Sequence, residues 1–206
     1  MTDSSADPAR LRGALPDALT LGEMILDNLP YEPTSQQTMV IAALARFCTA
    51  PASLHDRVFL LNGYAGTGKT SLSGALVRAL EGVKVASVLL APTGRAAKVF
   101  GGFAGRPAST IHRRIYRHSP DGLWSGAGML AENTAVDTIF IVDEASMIGG
   151  SEPGPDGRAS NLLEDLVQYV FSGVNCRLIM LGDTAQLPPV GCTVSPAMDA
   201  ATLRAM

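Results

Sequence analysis

The chain has 206 residues, of which 47% are hydrophobic, 17% charged and 5% aromatic, with a formal net charge of −3. That length and composition suit one α/β domain with a buried core and some extra arms. The slightly acidic balance excludes a globally basic nucleic-acid-binding surface, so any DNA contact must come from a local patch, and no apolar run is long enough to span a membrane.

Residues 1–15 are polar, carry Pro8 and Gly13, and read as a frayed, disordered end. They lack the basic and apolar regions of a secretion signal, so the expected location is the cytoplasm. A helix is predicted over Leu19–Asn28, ahead of Pro30. Residues 1–30 are thus an N-terminal segment with one helix, and residues 31–206 the main domain. A second helix is predicted over Ser35–Phe47, where Met39, Val40, Ala43, Leu44 and Phe47 recur at helical spacing. Cys48, Cys176 and Cys192 are scattered, with no paired metal-ligand spacing; they suit a reducing compartment and are expected to include buried small side chains.

Strands are predicted at Val58–Asn62, Val83–Ala91, Thr138–Val142 and Cys176–Leu181. Each is a continuous apolar run, which suits a parallel sheet covered on both faces. Helices over Ser71–Leu80, Gly94–Phe100 and Leu162–Phe171 fall between them. The alternation predicts an open, doubly wound α/β sheet with helices on both faces. Residues 117–135 are turn-rich and are expected to form a hairpin-like arm within a small insertion at about 101–135. Gly149–Ala159 reads as a mobile loop.

Residues 63–70 read Gly-Tyr-Ala-Gly-Thr-Gly-Lys-Thr, a complete G-x-x-x-x-G-K-T phosphate loop between a predicted strand and a predicted helix. Its glycines let the backbone wrap a phosphate with several N–H groups pointing inward, at the positive end of a helix. The cradle comprises Gly63, Ala65, Gly66, Thr67, Gly68 and Ser71. Lys69 would reach the β- and γ-phosphates, and the Thr70 hydroxyl would bind Mg²⁺. The strand at 138–142 ends in Asp143-Glu144, as a Walker B element requires. Asp143 would hold Mg²⁺ and Glu144 would polarise an attacking water. The last predicted strand runs into a loop where Gln186 is a neutral donor able to sense a γ-phosphate or orient water. Pro188 and Pro189 stiffen the way out.

Taken in order, Gly63–Thr70, Ala91–Lys98, Ser109–His112, Val142–Met147 and Leu181–Gly191 resemble motifs I, Ia, Ib, II and III of superfamily 1 DNA helicases. The similarity is to the RecD/Dda-like, 5′-to-3′ branch and spans roughly residues 30–200. Pro33–Gln37 resembles the Q-motif, with Gln37 the better candidate for reading adenine, and Val194–Asp199 resembles the segment after motif III. The resemblance implies a P-loop NTPase with a RecA-like fold, ATP and Mg²⁺ as cofactors, and single-stranded DNA as partner. It gives Lys69, Glu144 and Gln186 the catalytic roles. Thr93 of the Ia-like segment, and Thr110 and His112 of the Ib-like one, would touch the DNA.

The run from His112 through Arg113 and Arg114 to His118 is a local basic patch able to neutralise phosphates, and Arg95 and Lys98 extend it. These residues also carry plainer readings: Thr93 as a helix cap, His112 as a partly buried side chain, the basic run as a solvated helix face, and Trp124 as packing for the arm. The resemblance further implies a second RecA-like domain with motifs IV to VI, whose arginines complete the ATP site. No such motifs follow Gln186. The chain is therefore read as the first motor half, slow in turnover by itself, since an arginine finger contributes about 10³–10⁵ in rate. Two other readings stay open: a P-loop ATPase that does not act on DNA, and a nucleotide-gated single-strand-binding module without turnover.

Overall fold

Side-chain caps define where the first helices begin. Asp17 accepts the N–H groups of Leu19 and Thr20, both at 2.9 Å, and starts α1 (Ala18–Asp27). Thr34 and Gln37 cap each other reciprocally at the start of α2 (Ser35–Thr49). The computed structural model describes residues 16–51, 57–117, 129–149, 151–153, 159–189 and 191–206. Within them the chain continues as β1 (Val58–Asn62), α3 (Lys69–Gly82), β2 (Ser87–Ala91), α4 (Gly94–Ala104), β3 (Ser109–Thr110) and α5 (Ile111–Ile115). Then follow β4 (Ile139–Val142), β5 (Ser151–Pro153), β6 (Ala159–Asn161), α6 (Leu162–Ser172), β7 (Arg177–Gly182) and α7 (Ala200–Ala205).

Five strands form one sheet in the order β1-β7-β4-β2-β3, every neighbouring pair parallel. Asn62 lies opposite Gly182, Met180 opposite Val142, and Val142 opposite Leu90. The strands therefore end near a common carboxyl edge, where ligands bind in open α/β sheets. The loops that carry the sequence motifs leave from that edge.

Alternation along the strands feeds two cores. Leu89, Ile141, Ile179 and Leu181 pack with Leu21, Ile25, Leu44 and Leu76 beneath α1 to α4. Leu90, Phe140, Val142, Leu178 and Met180 pack with Ile111, Ile115, Leu166 and Val170 on the other face. Helices thus cover both faces of an open parallel sheet, as the alternating pattern predicts. Leu21 and Ile25 of α1 are fully buried in the core that α2 and α3 share.

Several ends differ from expectation. The strand expected from Val83 begins only at Ser87, because Lys84 adopts φ 59° and its N–H closes a turn onto the Glu81 carbonyl. The helix expected to stop at Phe100 continues to Ala104, where Gly105 at φ 72° ends it. Gly149–Ala159, read as a loop, is framed by the antiparallel pair β5 and β6. Residues 101–115 of the expected insertion belong to α4, β3 and α5 and the links between them, and a bridge from Tyr116 to Leu130 closes the base of the arm. The arm's tip, with Trp124, lies outside the described residues. Cys48 and Cys176 are buried as expected, and burial pushes the Cys48 thiol up to about 12. Among the described residues, no helix is long and apolar enough to cross a membrane.

The packing of α3 on α4 depends on a missing side chain. A Cβ on Gly74 would come within 2.6 Å of the Phe103 carbonyl oxygen. Gly74→Ala is expected to cost about 1–3 kcal/mol by overpacking, or roughly 2–4 °C of melting temperature per kcal/mol in a chain of this size. Calorimetry on the two proteins checks this, and equal melting temperatures would refute the close approach.

Candidate active site

β1 stops at Asn62 and the chain turns through residues 63–68 into α3. Gly66 and Gly68 take left-handed φ values of 78° and 86°. Gly68 also has no room, since a Cβ there would sit 2.7 Å from the Tyr31 hydroxyl and 2.8 Å from Gln37 Nε2. Every other α-helix among the described residues begins with a side-chain cap, whereas α3, started by Gly68, has none. Its first-turn N–H groups, at the positive end of the helix dipole, are left for an outside acceptor. Ser71 belongs to that first turn, and Ala65 is exposed on the loop. The Lys69 ammonium folds back and donates to the carbonyls of Gly63 and Tyr64, the latter at 2.9 Å. Gln37 links α2 to the loop: its Oε1 accepts the Thr34 N–H at 2.9 Å, and its Nε2 donates to the Thr67 carbonyl at 3.0 Å. A cavity of about 500 Å³ opens here, with Thr34, Gln36, Gln37, Val40, Tyr64 and Thr67 in its wall.

Two strands away, the end of β4 meets this loop. The Thr70 hydroxyl donates to Asp143 Oδ2 at 2.9 Å, and Asp143 Oδ1 accepts the Glu144 N–H at 3.0 Å. Burial pushes the Asp143 carboxyl above its ordinary range; the Thr70 and Glu144 hydrogen bonds oppose that rise, the Glu144 charge adds to it, and Lys69 opposes it. A hydroxyl and a desolvated carboxylate at this separation are the oxygen ligands a hard divalent cation takes, so the residues fit Mg²⁺. Glu144, half-buried, sits at φ 56°, a left-handed conformation that costs a residue with a Cβ. The Ser146 hydroxyl donates to Gln186 Oε1 at 3.3 Å and joins the loops after β4 and β7. Asn62 and Thr184 are also joined, by Asn62 Nδ2 to Thr184 Oγ1 at 2.9 Å and by the Thr184 N–H to Asn62 Oδ1 at 3.1 Å. Asn62 and Tyr31 were missed by sequence reasoning, because neither stands in a spacing that signals chemistry.

The second set of candidates gathers around α4 and α5. Thr93 and Thr110 are both helix caps, accepting the N–H groups of Ala96 at 3.2 Å and Arg113 at 3.3 Å. Arg95, Lys98, Arg113 and Arg114 are exposed. His112 is half-buried, its ring 5.7 Å from that of Tyr116. A cavity of about 600 Å³ is lined by Lys98, Arg106, Ser109, Thr110 and Arg113. Arg106, which sequence reasoning passed over, is fixed there by bonds to the Ser87 hydroxyl at 3.2 Å and the Ser87 carbonyl at 3.0 Å. This group lies by β2 and β3, across the sheet from β1 and the phosphate loop.

A parallel sheet with a phosphate loop after β1, paired through Thr70 to the acidic end of β4, defines a P-loop fold of the RecA-like kind. Residues 41–197 match the family described as AAA domain, and the chain belongs to that family, as a RecA-like domain of superfamily 1B helicase type. Over 134 residues, 65% of the chain, it is 36% identical to the ATP-dependent RecD2 DNA helicase of Deinococcus radiodurans. Over 138 residues, 63% of the chain, it is 31% identical to the ATP-dependent DNA helicase dda of Enterobacteria phage T4. The Pif1 helicase from Candida albicans has the same fold, with a TM-score of 0.51 at 19% identity over 84% of this chain and 38% of that one. The chain spans 16% of the length of the RecD2 relative and 28% of that of the dda relative.

The raised Asp143 carboxyl has a consequence for stability. Between the ordinary value of 3.8 and its higher folded value, the native protein binds more protons than the unfolded chain. Stability from this group therefore falls as pH rises through that window, and stays lower above it. Without metal, Asp143→Asn is expected to melt above the wild type at pH 7, the gain fading as pH falls toward 3.8. Melting curves across pH check this, and a variant less stable at pH 7 would contradict it.

Proposed function

We propose that the chain is the ATP- and single-stranded-DNA-binding first motor domain of an ATP-dependent 5′-to-3′ DNA helicase, and that residues 31–206 are its RecA-like unit. The observation that carries this reading is the 2.9 Å bond from Thr70 to the buried Asp143, beside the one α-helix start among the described residues that no side chain caps. In this reading the backbone of Gly63, Ala65, Gly66, Thr67, Gly68 and Ser71 receives the phosphates. Lys69 leaves the Gly63 and Tyr64 carbonyls to neutralise the β- and γ-phosphates. Thr70 and Asp143 hold Mg²⁺, which when bound neutralises charge developing on the phosphoryl oxygens. Glu144 takes the proton of the attacking water, and Gln186 orients that water. Gln37 keeps a second N–H and a second lone pair for the edge of adenine.

The groove beside α4 and α5 takes the DNA backbone. Thr93 and Thr110 accept a hydrogen bond as caps and still have a hydroxyl proton to donate to phosphate. Arg95, His112, Arg113 and Arg114 supply charge and donors without reading sequence. The RecD2 and dda relatives, both ATP-dependent DNA helicases, are far longer than this chain, which supports a second RecA-like domain outside the sequence. Its arginines would complete the ATP site, and the pair of domains would grip the strand alternately.

Lys69→Ala is expected to weaken MgATP binding by about 10- to 100-fold, the loss of one charged hydrogen-bonding group. Calorimetric titration measures it, and an unchanged affinity removes the phosphate-loop assignment. Replacing Arg113 and Arg114 together with alanine should weaken binding of single-stranded oligonucleotides and lower the slope of log affinity against log salt by about 1.4. Wild-type protein that binds no oligonucleotide at low salt would favour an ATPase that does not act on DNA.

A further inference from the structure

β1 and β7 end side by side. Asn62 lies in register with Gly182, and the Gly63 N–H donates to the Gly182 carbonyl at 3.1 Å. Just beyond, the chain parts into two loops, one wrapping the phosphate site and the other leading to Gln186. Asn62 spans the parting. Its amide donates to the Thr184 hydroxyl at 2.9 Å and accepts the Thr184 N–H at 3.1 Å. From Thr184 onward the backbone is held tightly: Asp183 Oδ1 accepts the Ala185 N–H at 2.8 Å, and the Asp183 carbonyl accepts the Gln186 N–H at 3.2 Å. Gln186 is then tied on its far side to Ser146 through Oε1. Its Nε2 carries the two donors suited to a phosphate oxygen.

We infer that Asn62 is a positioning residue that couples the phosphate loop to Gln186, so that movement at the start of the loop is delivered to the Gln186 amide through Thr184. The inference rests on the nucleotide reading above. A carboxamide suits the task because it donates and accepts at once, matching the hydroxyl and N–H that Thr184 presents. Asn62 and Thr184 are both exposed, so burial does not hold them together, and one exposed neutral pair adds little to stability. Its consequence is geometric: it sets where Gln186 stands relative to Lys69 and Thr70.

Hydrogen–deuterium exchange on the full chain tests this, comparing no ligand, ADP and a non-hydrolysable ATP analogue at saturation. In wild-type protein the analogue should slow exchange at 63–72 and at 183–187, and ADP only at 63–72. In Asn62→Ala, which loses both bonds to Thr184, the slowing at 183–187 should shrink at least about five-fold, the effect of one ordinary hydrogen bond, while 63–72 responds as before. Thr184→Ala keeps the bond from the backbone N–H of residue 184 to Asn62 and should lose only part of the response, and the double variant no more than Asn62→Ala. Asn62→Asp accepts from both the N–H and the hydroxyl of Thr184, and should retain the response. An undiminished response at 183–187 in Asn62→Ala, a response lost at both loops, additive losses in the double variant, or no response at 183–187 in the wild type would each overturn the coupling. Failure of the nucleotide reading looks different: the wild type would then bind no analogue.

Discussion

The hydrogen bond from Thr70 to Asp143 ties the molecule's local structures to one another. Thr70 is where it is because Gly68 turns the loop into a helix, and Asp143 because β4 ends there. Between β1 and β4 the sheet places β7, so the two loops close over the end of a strand contributed from the far end of the sequence. The bond alone is modest, on the order of a kcal/mol for a neutral donor and somewhat more to a charged acceptor. Its importance lies in the acceptor. Asp143 is a carboxylate taken out of water, and without partners it would shed its charge. Thr70 and the Glu144 N–H help keep that charge, and a divalent cation would keep it far more strongly.

The start of α3 repeats this theme with the sign reversed. Asp17, Thr34, Thr93, Thr110, Asn161 and Asp199 each satisfy a helix start with their own oxygens. At Gly68 the oxygen has been left out, and the positive end of the helix dipole gets no side-chain acceptor from its own cap. An uncapped, positive helix end and a desolvated carboxylate thus lie on neighbouring loops. Lys69 meanwhile rests on the carbonyls of Gly63 and Tyr64, which holds the loop folded.

Much of this was readable from the chain. Glycines, a lysine and a threonine at fixed offsets specify the phosphate loop, and continuous apolar runs specify a parallel sheet covered on both faces. Local chemistry explains why those parts are legible: each depends on residues adjacent in sequence. The parts that were not legible depend on distant partners. Arg106 finds Ser87, and Asn62 finds Thr184, across 19 and 122 positions. The extension of α4 past Gly101 and Gly102 runs against glycine's helix propensity, and the buried Phe100 and Ala104 pack it down. Lys84 in a left-handed turn gives no warning within the run that Val83 and Val85 make look like a strand. The Thr93 and Thr110 hydroxyls were anticipated both as DNA contacts and, for Thr93, as a cap. The cap is what the geometry displays, and it leaves a proton free for the other role.

The strand order places β1 and β3 at opposite margins of the sheet, four inter-strand spacings or about 19 Å apart. Salt at physiological strength screens charges in water within about 8 Å. If, as proposed, a nucleotide binds at one margin and single-stranded DNA at the other, their solvent-exposed charges are largely screened from each other. Coupling between two such ligands would then travel as displacement, through strand ends and the loops hinged on them, with the stiffness of the hydrogen-bonded sheet as its medium.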